Sequence, residues 1–303
     1  MRKLQKSKNN SSLGRKLLIL NIVLTVFGMA FVFDASYPLA LSGFGDKFFF
    51  ARQHLMWAII GWGMLFVFSR IHYSFWEKNA TPLFLGSIVL LCLVFVPGFG
   101  TKLLGAKRWL TLGTFSLQPS EFVKLTLAIY LAKVASKNKS LASFFLPIII
   151  VSILVMLEPD LGTTLVLVFL SFSQVFVSGI NIFYLIGATI AGLLSSFVLI
   201  ITSDYRRDRL MTFLKQTQDP LGKAYHIRQI LYALGAGGIF GVGLGQSKQK
   251  HLFLPETAGD SIFAIIAEET GFLGSLMLIL FFIVYILLIL KISDRAPNKF
   301  GKI

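Results

Sequence analysis

Asp260 is an acidic residue whose basic neighbours in the sequence could support a group-transfer reaction. Asp260 follows the basic residues Lys248 and Lys250 and the acid Glu256, and it comes just before the last long apolar run. A carboxylate beside a basic, phosphate-suited surface can act as the general base that takes a proton from an attacking hydroxyl. The alternative is a helix cap, because an Asp at a helix start accepts hydrogen bonds from the first amides. From the residues alone, capping is slightly favoured.

Two further segments place charged side chains at the ends of apolar runs. Glu121 and Lys124 are three residues apart, so they can meet on one helical face. An ion pair at a helix start and a functional role explain this spacing equally well. Glu158 and Asp160 flank Pro159 in a sharp turn, where Asp160 can cap the following helix. Capping is the favoured explanation there, and a pair of acids facing an outer cavity is the alternative.

These side chains must be positioned by helices in a membrane. Hydrophobic residues make up 55% of the 303 residues and charged residues 14%, with a mean hydropathy of +0.75. A soluble domain carries about 25% charged residues, so lipid rather than water surrounds most of this surface. The chain is therefore predicted to be all-α, a polytopic membrane bundle of about eight transmembrane helices. The apolar runs lie near 17–33, 54–69, 80–97, 120–135, 143–158, 161–179, 182–202 and 262–290.

The distribution of Lys and Arg predicts the orientation of this bundle. The N-terminal tail is basic, and with this tail in the cytoplasm most of the other short basic flanks also become cytoplasmic. Both chain ends are then inside the cell. The predicted organisation is a tail at 1–16, spans one to seven at 17–202, an extracytoplasmic loop at 203–259, an eighth span at 260–292 and a cytoplasmic end at 293–303.

The long outer loop is basic and partly amphipathic. Ile227, Ile230, Leu231 and Leu234 fall on one helical face, which predicts a helix lying in the membrane interface. General attraction to anionic headgroups is the favoured explanation for the positive charge of this loop. The more specific alternative is a binding site for a phosphate-bearing lipid. The basic residues of the loop are Arg206, Arg207, Arg209, Lys215, Lys223, Arg228, Lys248 and Lys250.

Several classes of protein are excluded by the residues present. The net charge of +15 is spread over the segments between spans, which argues against nucleic acid as a partner. Cys92 is the only cysteine, so disulfide scaffolds, zinc fingers and iron–sulfur sites are excluded. No Walker A pattern occurs, and the glycines between 235 and 245 form no dinucleotide-binding register. Those glycines are expected to allow turns and close backbone approach.

Three separated motifs resemble signatures of the SEDS family (shape, elongation, division and sporulation proteins). The first covers residues 107–110, 116–122 and Lys124, the second is EPDLGT at 158–163, and the third covers 241–250, 254–256, Asp260 and 262–269. The motifs occur in the family's order across most of the chain. Within the family, the segments 43–46, 208–210 and 219–222 make the chain more similar to FtsW, the division member, than to RodA, the elongation member.

The resemblance implies a peptidoglycan glycosyltransferase that polymerises lipid II on the outer face of the bacterial cytoplasmic membrane. By resemblance, Asp260 deprotonates the acceptor hydroxyl, which attacks the undecaprenyl-diphosphate-linked glycan. The family's motifs assign Glu268 and Glu269 as further structural or functional acids. Substrate binding is assigned to the charged residues Lys107, Arg108, Glu121, Lys124, Glu158, Asp160, Lys248, Lys250 and Glu256.

The resemblance also implies cofactors and partners. No organic cofactor is expected. A divalent cation, Mg or Mn, could assist the leaving diphosphate, although the sequence shows no set of ligands for one. The implied partners are a class B penicillin-binding transpeptidase and other division proteins, with membrane lipid around the helices. A division role implies a septal location.

Two features depart from the family pattern. Family members commonly have His-Thr before the acid, where this chain has Ala258 and Gly259, and this change could alter how Asp260 is held. The family has ten spans and eight are predicted here, so the chain is expected to be truncated after the eighth. The segment at 296–301 resembles the lead-in to a ninth span.

Two other functions compete with glycosyl transfer. A lipid II flippase would use Glu121, Lys124, Glu268 and Glu269 to line a path across the bilayer. Against it, the sequence contains no inverted repeat and no matched pair of broken helices. A non-catalytic divisome scaffold, which only recruits the transpeptidase, is the remaining alternative.

Overall fold

The chain is mostly helical in a computed structural model, which describes residues 2–103, 106–112, 115–137, 140–158, 160–201, 207, 225–251, 253–255 and 257–303. The helices of this described part are α1 (Arg2–Phe44), α2 (Phe49–Arg70), α3 (Tyr73–Leu93), α4 (Pro119–Ser136), α5 (Leu141–Leu157), α6 (Leu161–Val177), α7 (Ile182–Ile201), α8 (Tyr225–Gly237), α9 (Ile262–Asp294) and α10 (Lys299–Lys302). Each of the eight apolar runs overlaps one of the helices α1 to α7 or α9. The predicted helical membrane architecture is therefore confirmed.

By length and hydropathy, two described helices could each cross a membrane alone, namely Ser12–Phe44 of α1 and the whole of α9. Helices α2 and α3 pass the same test only as a pair, which bends by 111° and raises the number of possible spans to three. Helices α5 and α6 are apolar but shorter. Helix α1 begins at Arg2, so the basic tail predicted at 1–16 continues the helix of the first span.

A small antiparallel sheet lies between α3 and α4 in the sequence, where no strand was predicted. Its strands are β1 (Gly100–Leu103), β2 (Ala106–Leu112) and β3 (Phe115–Leu117), in the spatial order β1-β2-β3. Leu110 of β2 pairs with Gly100 on one side and Leu117 on the other. The sheet matters for the site because β2 carries the motif residues Lys107 and Arg108.

The chain divides into two compact units. The first unit comprises Met1–Ser69 and Ser196–Ile292, and the second comprises Arg70–Ser195 and Ser293–Ile303. The core of the second unit is mostly aliphatic and is built from α3 to α7, with Leu127 and Val151 fully buried. In the first unit, buried residues of α1, α8 and α9 pack together at Ala35, Ala233 and Ile265.

Helix α9 is broken at Gly271, and the preceding loop packs into the break. Gly271 has a φ of +68°, a region that side chains with a Cβ rarely adopt. The amides of Val242 and Gly243 donate to the carbonyls of Glu268 and Glu269 at 3.0 and 3.1 Å. These carbonyls precede the break, so the loop supplies hydrogen bonds that the helix cannot. The close approach predicted for the glycines is confirmed, because a Cβ at Gly241 would overlap the Glu269 carbonyl.

Several predicted features fall outside the described residues. They are the loop residues Arg206, Arg209, Lys215 and Lys223, the FtsW-like segments 208–210 and 219–222, and Glu256. A helix is present at Tyr225–Gly237, where the amphipathic pattern predicts one. Leu231 and Leu234 of this helix are exposed within the unit, and its location in a membrane interface stays a prediction.

Candidate active site

Asp260 lies in a turn immediately before α9, and its side chain is exposed. Its carboxylate makes no hydrogen bond or ion pair with any described residue. The alternative explanation as a helix cap is therefore wrong for the described geometry, because a capping carboxylate would accept from the first amides of α9. The hydroxyl of Ser261, the residue directly before α9, donates to the Pro255 carbonyl at 3.0 Å.

The residues on both sides of Asp260 are anchored. Thr257 is buried, and its hydroxyl donates to the Ala35 carbonyl of α1 at 3.2 Å. Ser261 is also buried, and its hydroxyl lies 2.6 Å from Nε2 of His226 on α8. The turn that carries Asp260 is therefore fixed to two helices of the first unit. The result is a solvent-facing carboxylate on a constrained backbone, which is the arrangement a general base needs.

A buried ionic network lies in the loop upstream of this turn. The Lys250 ammonium donates to both carboxylate oxygens of Asp34 on α1, at 2.8 and 2.9 Å. It also donates to Oε1 of Glu269 on α9 at 2.8 Å. Burial disfavours the charged form of Lys250, but the two carboxylates outweigh burial and raise the pKa of its ammonium. The network thus joins two helices through one loop residue.

Glu268 and Glu269 hold the same loop through its backbone. Glu269 accepts from the amides of Gly245 and Ser247 at 3.0 and 3.2 Å. Glu268 accepts from the Ser247 hydroxyl at 2.5 Å and from the Lys248 amide at 3.0 Å. Both glutamates are buried, so each carboxylate replaces lost hydration with these hydrogen bonds. The two acids therefore fix the shape of the loop.

The two lysines predicted to bind substrate differ in their surroundings. All three N–H bonds of the Lys250 ammonium point to carboxylate oxygens, and the residue is 3% exposed. Lys248 is exposed, and its side chain makes no hydrogen bond or ion pair within the described part of the chain. Lys250 therefore has a structural role in the ionic network. Substrate binding by Lys248 stays a prediction.

A second group of motif residues belongs to the second unit and lies around the turn after α5. Nε of Arg108 donates to the Glu158 carbonyl at 3.0 Å, and Nη1 of Arg108 lies 3.7 Å from Oδ2 of Asp160. Asp160 accepts from the Thr163 amide at 3.0 Å and from the Thr163 hydroxyl at 2.9 Å. The predicted capping of α6 by Asp160 is therefore confirmed, and Arg108 fixes the turn to the sheet. Lys107 is exposed beside it.

Glu158 is the most unusual side chain of this turn. It follows the last residue of α5, is 1% exposed, and neither carboxylate oxygen has a hydrogen-bond partner among the described residues. Burial, together with the charge of Asp160, raises the pKa of Glu158 to about 8, although Arg108 lowers it in part. The neutral acid is therefore the form this site favours near neutral pH.

Glu121 and Lys124 meet at the start of α4, as the three-residue spacing predicts. Oε1 of Glu121 and Nζ of Lys124 are 2.7 Å apart. Glu121 is more than half exposed, so the pair contributes little to stability. Its exposed carboxylate leaves the predicted substrate role open.

Asp34 is a site residue that sequence reasoning missed. The available signal was a single acid within the 33-residue apolar segment Ser12–Phe44. Such an acid is costly in a membrane unless it has a partner, which marks it for attention.

No group of three or more His, Cys, Asp or Glu side chains that could hold a metal ion occurs among the residues that the structure describes.

Comparisons with known proteins match nearly the whole chain. The sequence model of the FtsW/RodA/SpoVE family, described as a cell cycle protein, matches residues 15–303. The chain is 37% identical over 294 residues to a protein of Trichlorobacter lovleyi named as a probable peptidoglycan glycosyltransferase FtsW, covering 94% of this chain and 77% of that protein. It is 38% identical over 293 residues to stage V sporulation protein E of Bacillus subtilis, covering 94% and 80%.

Solved structures agree with these sequence relatives. A chain from a structure described as a peptidoglycan synthase complex that coordinates polymerisation and crosslinking superposes with a TM-score of 0.71. The sequence identity is 25%, and the match covers 95% of this chain and 80% of that chain. The rod shape determining protein RodA of Thermus thermophilus superposes with a TM-score of 0.64. Its 24% identity supports a shared fold.

Proposed function

Because the chain belongs to the FtsW/RodA/SpoVE family of cell cycle proteins, we propose that it is a peptidoglycan glycosyltransferase that polymerises lipid II. The relatives named as peptidoglycan glycosyltransferases support the reaction class. The observation in this chain that carries the proposal is the Asp260 carboxylate, which is exposed, unpaired among described residues and carried on an anchored turn.

Asp260 acts as the general base in the proposed reaction. It takes the proton of the acceptor sugar hydroxyl while the hydroxyl oxygen attacks the anomeric carbon of the lipid-linked donor glycan. The new glycosidic bond forms as the bond from that carbon to the diphosphate oxygen breaks. The electron pair leaves with undecaprenyl diphosphate, so no nucleotide is needed to drive the transfer.

Basic side chains supply the charge that the diphosphate requires. Lys248 is exposed in the loop that the buried glutamates hold in place, and it can approach an anionic group without breaking an existing ion pair. Lys250 acts indirectly, by fixing this loop to α1 and α9. A divalent cation, Mg or Mn, would supply further positive charge to the leaving diphosphate.

The cellular setting of the proposal follows from charge distribution and family membership. Both chain ends lie in the cytoplasm, and Asp260 faces the extracytoplasmic side of the bacterial inner membrane. The relatives named FtsW favour a role in division at the septum. The synthase complex among the structural neighbours supports a crosslinking partner, for which a class B penicillin-binding transpeptidase is the expected protein.

Polymerisation of purified lipid II by the protein in liposomes tests the proposal directly. Glycan strands that lengthen with time, resolved on a gel, are the expected product when the transpeptidase partner is present. Retained partner binding with no strands would instead favour a scaffold. Movement of a labelled lipid II to the opposite leaflet without strand formation would favour a flippase.

A further inference from the structure

The second unit contains a basic pocket. It has a volume of about 390 Å³ and lies between the first turns of α3 and the last turns of α4. Its lining residues are Ser74, Glu77, Lys78, Lys133 and Lys137. Three ammonium groups face one carboxylate there, so the pocket carries a net charge suited to an anion.

Two of the three lysines have no partner for their ammonium groups among the residues that the structure describes. The ammonium groups of Lys78 and Lys137 form no hydrogen bond or ion pair with any described residue, and both residues are exposed. Lys133 is held in place, because its Nζ donates to the Lys78 carbonyl at 3.3 Å and to the Thr81 hydroxyl at 3.1 Å. One fixed cation is thus flanked by two that remain available.

The single acid of the pocket is only weakly engaged. Oε1 of Glu77 accepts from the Ser136 hydroxyl at 3.5 Å and forms no ion pair with the pocket lysines. The positive side of the pocket is also reinforced by the N-terminal end of the α3 dipole, where Ser74 lies. A group with two or more acceptor oxygens, such as a phosphate, could bind several of these donors together.

The aromatic residues beside the pocket are of the types enriched at the depth of lipid headgroups. Tyr73 and Trp76 lie in the first turn of α3, beside the pocket residue Ser74. Tyr and Trp are enriched where a membrane meets water. Phe75 between them is 49% exposed and offers an apolar surface next to the charges. A ligand with a phosphate and an acyl chain would match both features.

We propose that this pocket binds the phosphate of an anionic phospholipid in the cytoplasmic leaflet. The cytoplasmic side follows from the Lys and Arg distribution, which puts the ends of α3 and α4 that form the pocket inside the cell. Basic pockets between membrane helices on that side recognise anionic headgroups. The site is separate in sequence from Asp260 and its function does not depend on glycosyl transfer.

Lipid-dependent thermal stability of the purified full chain in an uncharged detergent tests this site. A ligand that binds only the folded protein raises the melting temperature in a saturable way. The probes are short-chain phosphatidylglycerol, short-chain phosphatidylcholine and inorganic phosphate. The variant is Lys78→Gln with Lys137→Gln, and the matched control is Lys16→Gln with Lys291→Gln, which removes two exposed lysines elsewhere.

Phosphatidylglycerol is expected to stabilise the unmodified chain and the control variant, whereas phosphatidylcholine is not. The pocket variant should need about twenty-five-fold more phosphatidylglycerol, because each of the two lysines near an anionic headgroup contributes about a five-fold factor. Equal phosphatidylglycerol dependence in the pocket variant and its control would overturn the proposal. If inorganic phosphate stabilises the unmodified chain as much as phosphatidylglycerol does, and the pocket variant loses this effect, the pocket binds free phosphate and the proposed lipid ligand is wrong.

Discussion

The Lys250 ammonium lies 2.8 Å from the Asp34 carboxylate, although the two residues are 216 positions apart in the chain. The same ammonium donates to Glu269, so a single loop residue connects α1 with α9 inside the first unit. A cation buried between two carboxylates is costly to leave half-paired. The loop before Asp260 is therefore tied to the buried carboxylate of Glu269 and to the partly buried carboxylate of Asp34.

Replacement of Lys250 by Met is expected to destabilise the protein strongly. The change leaves the buried Glu269 carboxylate and its neighbour Asp34 without their shared cation, which costs about 3–5 kcal/mol. Thermal unfolding at fixed detergent concentration measures the effect. Lys248→Met, at an exposed position two residues away, is the control and should change stability by less than about 0.5 kcal/mol. Similar losses in both variants would argue against a structural role for the network.

Substitution of Gly241 by Ala is expected to disrupt the packing of the loop against the break in α9. Gly241 has a φ of +82°, and a Cβ there would overlap the backbone of Glu269. Strain from such a conformation alone costs about 1–3 kcal/mol, and the overlap adds to it. Gly235→Ala in α8 is the control, since nothing lies near its Cβ position and Ala favours a helix. Unfolding curves of the two variants that coincide would contradict the described packing.

Two substitutions of Asp160 are expected to distinguish its role as a helix cap from the role of its charge. Asp160→Ala removes the cap of α6 and should destabilise the protein by about 1–2 kcal/mol. Asp160→Asn retains an acceptor oxygen for the Thr163 amide and should cost less, while it removes the charge opposite Arg108. Thermal unfolding and lipid II polymerisation, measured on both variants, distinguish the roles. Stability retained in Asp160→Asn with polymerisation lost would support substrate binding, and equal instability in both variants would contradict the cap.

Glu158 is expected to make stability depend on pH. Its pKa is raised from 4.5 to about 8 in the folded chain, so between these values the folded chain keeps a proton that the unfolded chain has released. Stability must then fall as pH rises through this window. Glu158→Gln removes the titrating group and should flatten the curve of melting temperature against pH. Parallel curves for the two proteins would show that the carboxyl is not held neutral.

Local features of this fold could be predicted because they depend on short separations. The apolar runs indicate the helices, and the pair Glu121–Lys124 and the Asp160 cap each involve residues three apart. The glycines near 241 predict close approach by composition. The group that Gly241 approaches is the carbonyl of Glu269, which a local sequence pattern cannot predict.

Long-range features could not be predicted in the same way. The contact of Lys250 with Asp34 joins distant segments, so no periodicity reports it. Strand β3 has three residues and carries no alternating pattern long enough to recognise. The burial of Lys250 and the exposure of Lys248 also depend on tertiary packing, because the two residues have the same charge and lie in one motif.

Lipid II polymerisation by Asp260→Asn, measured in liposomes with the transpeptidase partner, tests whether Asp260 is the base of the glycosyl transfer. Asn preserves the size of the side chain but cannot accept the proton, so the rate should fall by about 10²–10⁴-fold while partner binding and the melting temperature are retained. Asp46→Asn, which removes another acid before α2, is the control and should keep its rate. Strands formed by Asp260→Asn at the unmodified rate would show that Asp260 is not the base.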